Sequence, residues 1–527
     1  MSRQALLALV CVVFLVAIAL PLGAVMGFGL LAWTDVSALQ SMASSVLPVY
    51  LLNSLTLCLG ALLVALVFGV APAWFLTQYQ FSGRALLQWF PVLPMAIPAY
   101  VVAYALTDAL DYSGWIASGI RPALSPVPWP EIRSLWGASL ILGIALSPYI
   151  YLLVRTAFED GQGSLLEAGR SLGLSRREVF FRLALPLARP ALVAGGALVV
   201  MESLADYGTV AFFSVQTLST GLFKTWFNYG DRNGAAFLGL IMLAFAVTLL
   251  SIERHSRGRA QYGTLSAQSS QRIALKGVAR FWVPMVCGIS GVLGFFVPTL
   301  LLVRAALEAQ AQASWSNLLQ QAFQTGLYGV YGLLIILPIA LVLAYGSRLW
   351  PRGWLAQAVR WASSGYAVPG LVVAVGLLAL SALTTALMSS WFDWRMTLTT
   401  TSALVLGGYL TRFFTVGFSS IETSLSGIRA SLDWSARSLG LSVVQVLTRL
   451  HLPLLRRGLW VAGLLVFVDI VKELPVTLVL RPMNVETLAV AAHHLAADER
   501  LADAAWPSIA IALVGLIPVL LLGPRGR

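Results

Sequence analysis

The sequence predicts an all-α integral membrane protein of about 12 transmembrane helices, arranged as two parallel six-helix repeats. Three observations predict it: a charge-poor composition, a series of long apolar runs, and an internal duplication. Of the 527 residues, 58% are hydrophobic and only 11% are charged, whereas a soluble domain carries about 25% charged residues. So few charges cannot cover a water-facing surface, and lipid must solvate much of the chain. The net charge of +12 fits arginine gathered in the loops of a membrane protein. It does not indicate nucleic acid, because only Lys224, Lys276 and Lys472 are lysines and no basic run is interleaved with aromatics. Cys11, Cys58 and Cys287 all lie in apolar stretches and read as small buried hydrophobes. The four histidines show no metal-ligand spacing.

Taken in order, apolar segments near the bilayer-spanning length of about 20 residues occur around 5–32, 50–76, 86–107, 134–157, 191–213 and 234–252. Six more follow around 281–303, 323–346, 357–383, 399–418, 458–480 and 505–523. The first run, from Ala5 to Leu31, exceeds the apolar core of about 7–15 residues in a signal peptide, so an uncleaved first helix is expected. A polar stretch from Arg254 to Gly277 separates the two sets. The expected division is a first transmembrane domain at 1–253, a cytoplasmic linker at 254–280 and a second domain at 281–527. With the N-terminus inside, alternation through all twelve spans puts 25 of the 34 basic residues on the cytoplasmic side, counting Arg412 at a span's end. The positive-inside rule therefore places both termini in the cytoplasm.

The duplication is read from RSLGLSRREVFFRLALPLARPAL, starting at Arg170, and RSLGLSVVQVLTRLHLPLLRRGL, starting at Arg437, an offset of 267 residues. Fourteen of these 23 positions are identical. Each half crosses an even number of times, so the repeats have parallel topology. Both copies fall in cytoplasmic loops before the fifth span of their half. Each reads as a short helix, a break at Gly173 or Gly440, a second helix, and then Pro186 or Pro453. Glycine lets the chain turn, and proline restricts entry into the next helix. Such a peg suits docking on a cytoplasmic partner; a basic loop at lipid headgroups would not require the same Gly and Pro spacing twice.

These two loops resemble the EAA loop of ABC importer permeases, with the pattern E-A-A-x3-G-x9-hydrophobic-x-L-P. The first copy (164–190) supplies Glu167, Ala168, Gly169, Gly173 and Pro186; the second (431–457) supplies Gly440 and Pro453, with Trp434 at the glutamate position and Asp433 beside it. The resemblance implies a type I permease fold and identifies the loops as coupling helices that seat in ATPase subunits. The chain carries no P-loop, since none of its lysines follows glycine. It is thus expected to have no catalytic site and no bound cofactor. ATP and Mg would belong to a separate cytoplasmic ABC ATPase, two copies of it for two loops.

Each loop precedes a span that carries acids. Glu202 and Asp206 lie at i, i+4, and so do Asp469 and Glu473; adding 267 to the first pair gives the second. A carboxylate in lipid normally faces a cavity or a partner, and hard oxygen ligands suit hard cations. The four acids are therefore the candidate substrate pathway and metal ligands. The alternative keeps them structural, with Lys472 neutralising a neighbour and acids near helix ends wetted by water. The stretches after the two loops, ESLADYGTVAFFSVQTLSTGLFKTWFNYGDRNGAA and KELPVTLVLRPMNVETLA, resemble the ferric-iron ABC importer permeases with two fused permease domains. That resemblance implies Fe3+ as transported substrate, delivered by a periplasmic iron-binding protein across a bacterial inner membrane. Thiamine, sulfate or an organophosphonate are the alternatives within the class. A twelve-span secondary transporter is the rival outside it, and would have no need of the paired EAA spacing.

Overall fold

The computed structural model describes residues 3–34, 36–124, 127–159, 169, 171–257, 272–309, 314–363, 368–392, 399 and 401–522. They are almost wholly helical. Among them nine helices are long and apolar enough to cross a membrane, and a tenth crossing arises if the bent pair Arg176–Leu187 and Arg189–Ala205 counts as one span.

The departures from twelve continuous spans have local causes. The expected span at 86–107 is broken into Arg84–Leu87, a 3-10 turn at Leu93–Ala96 and the helix Ala99–Leu110. Pro91, Pro94 and Pro98 remove the backbone donors that would join these pieces. At 458–480 the helix Leu452–Lys472 stops before Pro475, which opens the short helix Pro475–Leu480. It also carries Arg456, Arg457, Asp469 and Lys472, which dilute its apolar character. Arg412 does not sit at a span's end. The helix Ser402–Ser426 runs on well past it, because the apolar and small residues from Phe413 to Phe418 continue the helical pattern.

The chain forms two compact units, neither of which is one continuous stretch of sequence. One comprises Met1–Met42, Gly221–Leu243 and Trp315–Val490. Its core gathers Ile18, Ile336, Leu343, Phe414, Phe418, Val466 and Val476, all nearly inaccessible. The helix Arg3–Leu31 packs along Gly370–Phe392, and a Cβ at Gly376 would collide with the Pro21 carbonyl. Close helix approach through small residues is the usual way to gain packing where lipid supplies no hydrophobic drive.

The other unit comprises Ala43–Thr220, Ala244–Ser314 and Ala491–Arg527. Its spine is the pair Leu47–Gln78 and Leu135–Glu159. Gly69 faces Ile150 and Gly143 faces Val64, with no room for a Cβ at either position. Tyr79–Gln80 then pairs as a parallel two-residue strand with Ile273–Ala274, Tyr79 opposite Ile273. The described end of the expected linker is thereby tied to the end of a spanning helix; the greater part of that linker lies outside the described residues.

Candidate coupling segments and intramembrane carboxylates

Where they are described, the two EAA-like segments share their turn and their restart. In the second, the helix Ala430–Ser438 is closed by Gly440 at φ +82°. Gly440 N–H donates to the Arg437 carbonyl (2.9 Å) and Leu441 N–H to the Ala436 carbonyl (3.2 Å). These paired bonds end a helix through a left-handed residue. The first segment repeats the arrangement: Gly173 has φ +85°, and Leu174 N–H donates to the Gly169 carbonyl at 3.1 Å. A Cβ at either glycine would meet nothing within 4 Å, so glycine is required for its backbone angle alone. Glu167 and Ala168 lie outside the described residues.

Each segment restarts with a reciprocal cap. Ser175 Oγ accepts from Glu178 N–H while Glu178 Oε2 accepts from Ser175 N–H. Ser442 and Gln445 exchange the same two bonds. The capping box satisfies donors that a helix start otherwise leaves bare, and it pulls the Glu178 carboxyl below its ordinary range, chiefly through the backbone bond from Ser175. Each restart passes through a π-turn, Val179–Ala184 or Val446–His451. Pro186 and Pro453 then lie in the first turn of the next helical piece, where the missing N–H has no intrahelical partner to lose. In the first copy the chain bends by 67° between Arg176–Leu187 and Arg189–Ala205.

Beside each glycine a leucine stands in solvent: Leu172 is 84% exposed and Leu439 is 83% exposed, and the two are related by the repeat offset of 267. Trp434 is 70% exposed. Neither leucine stands out in the sequence, because one more apolar residue in an apolar chain carries no weight. The available signal was their identity at equivalent places next to the glycines. Asp433 points the other way. Its Oδ2 lies 2.8 Å from Arg348 Nε and its Oδ1 lies 2.7 Å from Nε2 of the fully buried His451. Arg348 also donates to the Leu425 and Ile428 carbonyls, and Tyr345 donates to the Val443 carbonyl at 2.9 Å. Arg348 and Tyr345 both belong to Trp315–Leu349, so the second segment is fastened to the end of a spanning helix. Burial, partly countered by Asp433, pushes the His451 imidazole below its ordinary value.

The four candidate pathway acids divide by role rather than by repeat. Asp206 ends the helix Arg189–Ala205 and accepts from Thr209 N–H (3.0 Å), Val210 N–H (3.2 Å) and Thr209 Oγ1 (3.1 Å). It thus caps the short helix Gly208–Phe212. Its counterpart Glu473 accepts from Val476 N–H (2.8 Å) and caps Pro475–Leu480. Glu473 is also paired with Arg412, 3.0 Å from its Nε, both side chains being largely shielded. Both acids satisfy backbone donors at a break in a helix. Glu202 and Asp469, one turn earlier, are half-buried. Among the described residues no group of three or more His, Cys, Asp or Glu is arranged to hold a metal ion.

The duplication extends beyond the segments. Ser54 Oγ accepts from Leu218 N–H at 2.9 Å, and Thr325 Oγ1 accepts from Leu488 N–H at 2.8 Å. Each sits within a long helix and caps the start of another one. Next to them, Asn53 donates to the Gln216 carbonyl and Gln324 to the Asn484 carbonyl.

A family model described as "Binding-protein-dependent transport system inner membrane component" matches residues 65–257. Over 486 residues the chain is 24% identical to an Fe(3+)-transport system permease protein of Haemophilus influenzae, covering 89% of this chain and 88% of that one. It is 33% identical over 213 residues to a molybdenum transport system permease protein of Escherichia coli, covering 38% of this chain and 90% of the relative. With an Escherichia coli sulfate transport system permease protein it shares 28% identity over 192 residues, covering 35% of this chain and 68% of that one.

Proposed function

Since this chain belongs to the family of binding-protein-dependent transport system inner membrane components, we propose that it is the transmembrane permease of an ATP-driven importer carrying ferric iron into the cytoplasm. The observation that carries the importer reading is the pair of glycine-closed segments, each presenting one exposed leucine, Leu172 or Leu439. Two equivalent pegs call for two copies of a cytoplasmic ATPase, and a periplasmic iron-binding protein would deliver the ion. The setting is a bacterial inner membrane, and the arginine distribution supports both termini on its cytoplasmic side. The two permease domains are the sequence halves 1–253 and 281–527.

Iron is supported by the relative named for Fe(3+) transport, the one of the three that matches nearly the whole chain. The chemistry of the span ends agrees: Glu202 and Asp469 are carboxylates at equivalent, half-buried places, which favours a cation over an oxyanion. Asp206 and Glu473, occupied as helix caps, would shape the pathway rather than bind the ion. The relatives named for molybdenum and sulfate transport match only part of the chain, and they make oxyanion transport the second reading.

In this mechanism the chain performs no covalent step. ATP binding draws the two ATPases together, the segments closed by Gly173 and Gly440 transmit the movement, and the helices that follow Pro186 and Pro453 change their exposure. The test is uptake of radiolabelled ferric iron by cells co-expressing the chain, its binding protein and its ATPase. ATP-dependent uptake lost in Gly173→Pro with Gly440→Pro, and also in Glu202→Gln with Asp469→Asn, is the expected result. Uptake of labelled molybdate or sulfate instead of iron would overturn the substrate. Iron uptake without the ATPase would overturn the importer.

A further inference from the structure

A cavity of about 500 Å³ opens beside the helical restart at Arg176 in the first coupling segment. Phe75, Tyr79, Trp282 and Val283 give it apolar and aromatic walls, and Arg176 and Lys276 give it two cations. Phe75 and Trp282 meet edge to face, with ring centroids 5.1 Å apart. The Arg176 guanidinium lies over the Tyr79 ring, 5.9 Å from its centroid. The strand pairing of Tyr79–Gln80 with Ile273–Ala274 brings Lys276 close to a segment some hundred residues earlier in the sequence.

The charge around this cavity is one-sided. No acidic residue lines it, and among the described residues neither Arg176 nor Lys276 has a carboxylate partner. The surrounding surface is apolar and open: Val278 is 77% exposed and Phe281 is 79% exposed. The feature therefore combines a cationic mouth, an aromatic lining and an apolar approach at the level where a spanning helix ends.

We propose that this cavity binds the phosphate headgroup of an anionic phospholipid, with Arg176 and Lys276 contacting the phosphate and the acyl chains lying along Trp282 and Phe281. Basic pockets between spanning helices at the positively charged side of a membrane protein suit anionic headgroups. Aromatic rings suit the headgroup level because they offer an apolar body at a wet boundary. A soluble phosphate would use the two cations but gain nothing from the exposed apolar approach, which is why the lipid is the occupant. Bound there, the lipid would bridge the linker strand and the first coupling segment, so membrane composition would act on one of the two segments. The site uses no residue of the transport pathway, and its failure would leave the importer reading intact.

The test is lipid retention by the full chain with its ATPase, exchanged into nanodiscs of phosphatidylcholine with or without phosphatidylglycerol and then analysed by native mass spectrometry. One phosphatidylglycerol per chain is expected to stay bound when phosphatidylcholine is removed. Arg176→Gln with Lys276→Gln should lower its affinity roughly thirtyfold, as loss of two cations facing an anionic headgroup does. Arg176→Lys with Lys276→Arg, which keeps both charges, should restore retention and so separates a lost site from a misfolded protein. Equal retention of phosphatidylcholine, or no loss in the glutamine variant, would overturn the site. Displacement of phosphatidylglycerol by an equal concentration of soluble glycerol phosphate would overturn the lipid as its occupant, and retention seen only when the ATPase is left out would assign the surface to protein.

Discussion

The pairing of Arg412 with Glu473 gives the sharpest energetic test of the intramembrane acids. Glu473→Gln leaves an amide oxygen that can still accept from Val476 N–H, now at 2.8 Å, so the helix cap is kept. What it removes is the charge facing Arg412 Nε at 3.0 Å, where the side chains are only 14% and 3% exposed. Breaking a buried pair from one side strands the other charge and costs about 3–5 kcal/mol. Arg412→Met should cost a similar amount for the opposite reason. The double variant carries neither charge and should recover most of the loss, since replacing a whole buried pair is often nearly neutral. With each single change costing about 3–5 kcal/mol and the double change little, the coupling between the two sites is expected at about 5 kcal/mol or more, above the usual range for residues in contact. Asp206→Asn is the internal control: that acid caps through Thr209 and Val210 without an arginine pair among the described residues, and the change should stay under about 1 kcal/mol. Melting of the detergent-purified chain, followed by size-exclusion profile after heating, should place each single variant about 6 °C or more below the parent. If the double variant melts as low as the worse single one, the two side chains are not energetically coupled and the structural role assigned to Glu473 fails.

Leu172→Asp or Leu439→Asp should weaken recovery of the ATPase with the purified chain by tens of fold, the worth of one leucine of about 1.5–3 kcal/mol, while membrane insertion stays normal; unchanged recovery would remove the leucines as anchors. Gly440→Ala forces a side chain into φ +82° and should cost about 1–2 kcal/mol, lowering the melting temperature although a Cβ has open space; no shift would mean that the turn relaxes freely. His451, facing Asp433, Arg348 and Tyr345, has a folded pKa below its ordinary 6.5. The unfolded chain therefore binds a proton near pH 6.5 that the folded chain resists, and stability should fall as pH drops below that value. Melts at pH 7.5 and 5.5 should differ in the parent and less so in His451→Gln; equal differences would exclude His451 as the source.

The fold was legible where it depends on periodicity and on repetition. Nine of the twelve expected spans meet a long apolar helix, because a helix that lipid solvates must be apolar along its length. The other three expected spans, at 86–107, 191–213 and 458–480, were legible as apolar but not as broken. Prolines at 91, 94, 98 and 475, and the charges from Arg456 to Lys472, had the information, yet a proline also occurs inside intact helices such as Leu47–Gln78 and Trp315–Leu349. Only the neighbours that re-satisfy freed backbone groups decide between the two outcomes, and neighbours are not written in the local sequence. The same limit applies to the acids. The i, i+4 spacing placed Glu202 with Asp206 and Asp469 with Glu473 on one helix face, but each helix ends at the second acid of its pair. The second acid becomes the cap of the next helix, and a shared face is a property of an unbroken helix alone.

The repeated segments show how much of a coupling device a motif can specify. Glycine at a left-handed angle, a serine box three residues wide and a proline in the next helix's first turn recur in both copies because each answers to the local backbone. How a segment is held does not recur. The positions of Asp433 and His451 are filled in the first copy by Leu166 and Ala184, so the network around Arg348 has no equivalent there by sequence. In its place Trp74 packs edge to face on Phe158 and Phe180, at 5.4 and 5.0 Å between centroids, and the linker strand lies nearby. Among the described residues, then, the second segment is held by ion pairs and the first is met by aromatic contact. Ionic fastening responds to pH and salt, whereas aromatic packing at a lipid boundary responds to the membrane around it. Two segments of the same motif are therefore open to different influences, and the duplication that built them did not keep them equivalent.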